Sequence, residues 1–329
     1  MNDFLPPTTT NHEGRPRRIG VELEFAGLAP PVILDTITGQ LGGAVHRDTR
    51  FEYRITGGTV GDLILELDAA YLKELARTAQ QDGTRSEIER LTDDALAGAA
   101  QVVVPWEIIT EPIPMERVLE LEPLFAALRR AGARGTRHSP WYAFGLHLNP
   151  EMPGLDPATI LDYLRSYTCL YDWLVDREQL DPSRKWFTPY IETFDALYID
   201  RILDAGYAPD IDELIDDYLE ANPTRNKSLD MLPLFAHIAP EKVREAVDDP
   251  RVKPRPALHY RLPNCDIDRE DWNLRQPWSR WLEVEYLADD RDRLSRACRA
   301  FRRELNRAGP RLFKTRWIEQ CDSWLVRST

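Results

Sequence analysis

The sequence predicts an α+β fold built on a largely antiparallel sheet. Three observations carry this. Strand-like segments come in runs rather than alternating singly with helices, they alternate apolar and polar residues, and one long helical stretch separates the first run from the last strand signals. With 329 residues, the chain can bury a large core.

Residues 1–16 carry Pro, Thr, Asn and Gly without periodicity and read as a loose N-terminal arm. In RRIGVELEFAGL, from Arg17 to Leu28, a strand puts Ile19, Val21, Leu23 and Phe25 on one side. Gly20, Glu22, Glu24 and Ala26 take the other side. The stretch from Pro30 to Gly43 fits no element clearly. RFEYRI (50–55) and DLILELDA (62–69) flank the turn signal TGGTVG and read as a hairpin. YLKELARTAQ (71–80) and SEIERLTDDALAGAA (86–100) have helical spacing. VVVPWEIITEP (102–112) reads as a strand, and Pro114 opens a helix running to about Ala131. WYAFGLHLNP (141–150) is the next strand, and Asp156 to about Asp248 is helical. ALHYRLPN (257–264) and WLEVEYLA (281–288) read as closing strands. Two helices finish the chain, the first from about Arg291 to Arg307. The expected organisation is one domain over residues 17–288 with a helical insert at about 156–250, followed by a helical tail over 289–329.

A net charge of −13 argues against a general nucleic-acid binder, which needs a basic face for phosphates. Cys169, Cys265, Cys298 and Cys321 are scattered without a CxxC pair, as expected of reduced thiols in a cytosolic protein, and imply no zinc site. The N-terminal residues hold no apolar signal region, and no run approaches the roughly 20 apolar residues of a membrane span. The expected location is cytoplasmic, with no membrane partner.

Sorting the strands by parity gives one recurring result. Leu63, Leu65 and Leu67 oppose Asp62, Glu66 and Asp68. Tyr142, Phe144, Leu146 and Leu148 oppose Gly145, His147 and Asn149. Leu258, Tyr260 and Leu262 oppose His259 and Arg261, while Leu282, Val284 and Tyr286 oppose Glu283 and Glu285. VPWEIITEP is less clean, because Glu107 and Glu111 share a face with Val103 and Ile109. The plain reading is an antiparallel sheet with one solvated face. Yet this face has no lysine among its acids, and carboxylates so placed repel one another unless cations sit between them. Hard oxygen ligands suit Mg²⁺ or Mn²⁺, and Mg²⁺ commonly arrives with substrate phosphates.

Five segments in order, IGVELEF, VPWEIITEPIP, FGLHLNP, HYRLPN and LEVEYL, resemble the amidoligase family of the glutamine synthetase and glutamate–cysteine ligase superfamily, over about residues 17–288. The resemblance implies an antiparallel, funnel-like sheet of about six strands with helices on its outer face and ATP and divalent metals on its concave face. It implies an ATP-dependent ligase that joins a carboxylate to an amine through an acyl phosphate, with small-molecule or peptide substrates. By motif position, Glu22, Glu24, Glu107 and Glu285 would ligate Mg²⁺ or Mn²⁺, with Glu107 and Glu111 in that role or near the amine. His147 and Asn149 would meet nucleotide phosphate or metal, and Arg261 and Asn264 would stabilise the transferring phosphoryl group. The chain departs from the pattern at Leu287, where relatives often carry an arginine that Arg280 or another arginine would have to replace. A metal-dependent hydrolase and a non-catalytic binding module on the same fold are the alternatives. Walker-type, GxGxxG and GxSxG motifs are absent, which argues against P-loop, dinucleotide and α/β-hydrolase folds.

Arg225 and Lys227 in PTRNKSLDMLPLFAHIAP either belong to an ordinary helix start capped by Ser228 or lie over the sheet and meet an acidic substrate or a phosphate. DPSRKWFTPY (181–190) reads as a lid or a helix-ending loop, and the basic tail after Asp289 as a solvated face. Trp272, Trp278 and Trp281 read as core and loop anchors rather than a base-stacking platform.

Overall fold

The computed structural model describes residues 4–49, 51–67, 105–138, 144–180, 192–307 and 310–325. The expected helices at 71–80 and 86–100, residues Asp68 and Tyr142, and the 181–190 segment lie outside the described residues.

Among the described residues, nine strands form one antiparallel open sheet: β1 (Arg18–Phe25), β2 (Ala44–Arg47), β3 (Glu52–Gly58), β4 (Gly61–Leu67), β5 (Trp106–Thr110), β6 (Ile113–Pro114), β7 (Leu146–Pro150), β8 (Leu229–Asp230) and β9 (His259–Tyr260). Their order is β2-β3-β4-β5-β1-β7-β9-β8, with β6 also paired to β1. The expectation of about six strands fell short because β2, β6 and β8 are too brief for a two-residue period to show.

Strand β1 alternates as its sequence dictates. Ile19, Val21, Leu23 and Phe25 are almost wholly buried on the core side, together with Leu63 and Leu65 of β4 and Leu146 and Leu148 of β7. Burying each such side chain stabilises by about 1.5–3 kcal/mol relative to leaving it exposed.

The helices begin with α1 (Pro30–Leu41), where the sequence offered no clear element. Pro30 presets the first turn, and Ile33, Ile37 and Leu41 form a stripe four residues apart. Pro114 leads into a 3₁₀ segment, Met115–Leu121, before α2 (Glu122–Ala131) begins. Helix α2 packs on α1 and stops at Gly132, whose φ of 105° is a left-handed cap that glycine adopts without strain. Helix α3 (Pro157–Glu178) is capped by the Asp156 carboxylate, which accepts from the Thr159 N–H at 3.0 Å. The helical stretch continues as α4 (Ala196–Ile202), α5 (Ile211–Ala221), α6 (Leu232–Ile238) and α7 (Pro240–Ala246). Then come α8 (Arg275–Asp289), α9 (Arg291–Arg307) and α10 (Pro310–Cys321), all three packed on α3.

Two expectations are corrected here. WLEVEYLA is helical, not a strand. Trp278, Trp281, Leu282 and Glu285 follow the i, i+3, i+4, i+7 spacing of one helix face, but a buried acid in the fourth position disguised the stripe. Residues 4–17 are not a loose arm. Trp278 Nε1 donates to Phe4 O at 2.9 Å, Tyr286 Oη to Leu5 O at 3.2 Å, and Arg17 Nη1 to Thr8 O at 2.8 Å.

Arg17 and Glu285 explain why the acid is buried. The guanidinium donates from Nη1 and Nη2 to the two Glu285 oxygens at 2.8 and 2.9 Å, with both side chains sealed from solvent. Trp281 Nε1 donates to the same carboxylate at 2.9 Å, and the Tyr163 hydroxyl also donates to it. Burial works against the Arg17 charge, but Glu285 more than compensates and raises its pKa. Removing one partner strands the other charge in the core, so Arg17→Ala is expected to cost about 3–5 kcal/mol in urea unfolding. Replacing both residues by apolar ones of similar volume is expected to restore much of that loss, which a double-mutant cycle reads directly.

Candidate functional site

The polar face of the sheet forms from strands in register. Glu24 of β1 lies opposite Glu107 of β5, and Glu107 lies opposite Glu66 of β4. On the other flank of β1, Glu22 faces His147 of β7 and Gly20 faces Asn149. Asp230 of β8 pairs with His259 of β9. Like charges directly opposite destabilise a sheet, so positive charge beside the Glu66–Glu107–Glu24 row is stabilising.

His147 bridges the two carboxylates of β1. Its Nδ1 lies 3.0 Å from Glu22 Oε2 and its Nε2 lies 3.6 Å from Glu24 Oε1. In the tautomer with Nδ1–H donating to Glu22, the Nε2 lone pair faces Glu24. Metal-binding histidines use this arrangement, with one nitrogen on a carboxylate and the other on the ion. Glu24, Glu107 and His147 each place a ligand atom within 4.8 Å of the others, and so do Glu22, His147 and His259. The Gly145 N–H fixes Glu24 by donating to Oε2 at 2.7 Å.

Asn149 links this acidic end to a basic one. Its Nδ2 donates to Glu22 Oε1 at 2.9 Å, while its Oδ1 accepts from Arg255 Nη2 at 2.7 Å and lies 2.6 Å from His259 Nδ1. Arg255 Nη2 also lies 2.9 Å from His259 Nδ1, and the buried His259 Nε2 has no partner among the described residues. Burial and the Arg261 charge hold His259 well below its usual pKa, so its neutral form is favoured. Burial alone would push the Glu22 carboxyl up, but the His147 hydrogen bond and the Arg255 charge work against this, and its pKa lies well below the ordinary carboxylate range.

At the basic end, Arg261 Nη2 donates to the fully buried Asp230 at 3.3 Å. Burial raises the Asp230 pKa, against the pull of Arg261. The Arg225 and Arg255 pKa values are lowered by burial and by the like charge of Arg261. The Nε atoms of Arg225 and Arg255 are buried donors without partners among the described residues. Crowded cations with spare donors suit an anion.

The fold thus brings together Glu22, Glu24, Glu107, His147 and Asn149, with Arg261 and Arg225 at the basic end. Other expected site residues lie elsewhere. Glu285 is inside the core on α8, so its assignment as a metal ligand on the sheet is corrected: four donors already fill its carboxylate. Leu287 is buried on the same helix, so no sheet arginine is missing there, and Arg280 pairs with Glu178 at 2.7 Å. Glu111 is exposed just past the end of β5. Lys227 Nζ donates to Thr193 O at 2.9 Å and lies 3.6 Å from Glu192. Asn264 bridges to Gly145, but its Nδ2 donates to Glu178 O at 3.1 Å and Gln179 O at 3.3 Å at the end of α3. Arg255 and Asp230 escaped sequence reasoning. Arg255 sits between Pro254 and Pro256, a rigid flank that could have marked it.

A family model described as "Putative amidoligase enzyme" matches residues 15–283. No curated protein and no solved structure matches the chain. No described helix is long and apolar enough to cross a membrane.

The residues present fit a divalent cation, and its binding is measurable by calorimetry with Mn²⁺. Glu24→Gln is expected to abolish high-affinity binding. Glu22→Gln, which weakens the hold on His147 and Asn149, is expected to lower affinity about 10–100-fold. Wild-type affinity in both variants would contradict this ligand geometry.

Proposed function

The chain belongs to the amidoligase family, and from that premise we propose that it is an ATP-dependent ligase joining a carboxylate to an amine through an acyl phosphate, on a glutamine synthetase-like catalytic fold. The observation that carries this reading is one sheet face with a carboxylate–imidazole end and an arginine end, coupled through Asn149. Glu24, Glu107 and His147 would hold Mg²⁺ or Mn²⁺, which would neutralise those carboxylates and supply positive charge to the phosphates of ATP.

The protein's own groups do the rest by positioning and charge. Arg225, Arg255 and Arg261 bind the phosphoryl oxygens, and the spare Nε donors of Arg225 and Arg255 add hydrogen bonds as charge shifts to the leaving oxygen. The substrate carboxylate attacks the γ-phosphorus, its bond to the β–γ bridging oxygen breaks, and ADP leaves. The amine then attacks the acyl carbon, the acyl C–O bond breaks, and phosphate leaves with the proton that the amine gives up. In the tautomer that leaves its buried Nε2 unprotonated, His259 accepts a hydrogen bond from the incoming amine and orients the amine's lone pair. The substrates are a small-molecule or peptide carboxylate and an amine.

The test is Mg²⁺-dependent ADP release, screened with amino acids, short peptides and polyamines. Arg261→Ala is expected to lower kcat about 10²–10³-fold, the loss that follows removal of one preorganised charge donor. No ADP release with any pair, together with no calorimetric binding of an ATP analogue in Mg²⁺, would overturn the reading.

A further inference from the structure

Away from the sheet face, a cavity of about 340 Å³ opens between the first turns of α3, the 203–209 loop and α9. Helix α3 separates the two places. Its Tyr163 and Tyr167 donate to Glu285 and Ser228 on one side, while Leu161, Asp162 and Arg165 line the cavity on another.

The cavity walls are mainly apolar, with Leu161, Leu203 and Leu294 among them, so an occupant gains from burying a hydrocarbon body. The charges are unequal. Asp162 already accepts from Arg291 Nε at 2.7 Å, and Asp204 from Arg302 Nη1 at 2.6 Å. Each acid thereby has an arginine donor, Arg302 being shared with Asp200 at 3.2 Å. Arg165 donates to the carbonyls of Ile202, Asp204 and Tyr207 at 2.5, 2.9 and 3.0 Å, which pins the loop but leaves its charge without a carboxylate hydrogen-bond partner. Arg299, on the exposed rim, makes no hydrogen bond or ion pair among the described residues. The lining thus holds Arg165, Arg291 and Arg299 against Asp162 and Asp204, one positive charge in excess, beside the Ser295 hydroxyl.

We propose that this cavity is a second ligand site, separate from the sheet face, that takes a small organic anion: one carboxylate or phosphate on a compact apolar body. Its volume falls in the range of small-molecule pockets. Arg299 supplies the free guanidinium for the anion, Arg165 adds its field from the loop side, and the leucines hold the apolar part. Nothing in this depends on the ligase chemistry.

The test is ¹⁹F line broadening with 4-fluorobenzoate and 4-fluorophenyl phosphate, against neutral 4-fluorobenzamide. One or both anions are expected to bind, the amide not. Arg299→Glu, an exposed change, is expected to weaken binding about tenfold or more, as loss of a charged hydrogen bond does. Leu161→Trp, which fills the cavity, should have the same effect, with folding checked by circular dichroism. Arg261→Ala on the sheet face should change nothing. The proposal is overturned if neither anion binds, if the amide binds equally, if binding survives both cavity changes, or if Arg261→Ala removes it.

Discussion

Carboxylates of three adjacent strands stand in one row, Glu66, Glu107 and Glu24, with Glu22 one step along β1. Their mutual repulsion is the constraint that the rest of the sheet's polar face answers. His147 reaches between the two β1 acids, Asn149 ties Glu22 to Arg255, and a group of arginines gathers at the far end. A solvated face would relieve such repulsion with scattered lysines and water. Here the relief comes from partly buried groups held in fixed geometry, where charges are screened less and a cation gains more.

The opposite face makes that arrangement rigid. Because side chains alternate, every acid that β1 turns outward fixes an apolar residue turned inward, and Ile19 to Phe25 anchor the strand in the core. Immediately before β1, Arg17 closes on Glu285 and joins the strand to α8, α3 and the N-terminal segment. A buried pair of this kind is costly to desolvate, but once both charges are inside, neither can be lost cheaply.

The strand alternation of β1, β4 and β7, the β3–β4 hairpin and the helix Arg291–Arg307 were legible because each has a clear local period. Glu22, Glu24, His147 and Asn149 came with them by parity, whereas Glu107, on a strand of mixed parity, came by its place in the family motif. The period failed where burial is decided by partners. Glu285 reads as an exposed strand acid until Arg17, distant in sequence, neutralises it in the core. Asn264 and Lys227 likewise spend their donors on backbone carbonyls that no local pattern reveals. Arg255 and Asp230 join the site only through tertiary contacts with Asn149, His259 and Arg261.

The most direct test of the polar face is a crystal grown with Mn²⁺ and an ATP analogue, measured at the manganese absorption edge. The expected result is an anomalous peak within bonding distance, about 2.0–2.3 Å, of Glu24, Glu107 and His147 Nε2. Well-ordered side chains there without a manganese peak, their charge met by a lysine or arginine of the chain itself, would contradict the assignment of that face to a divalent cation.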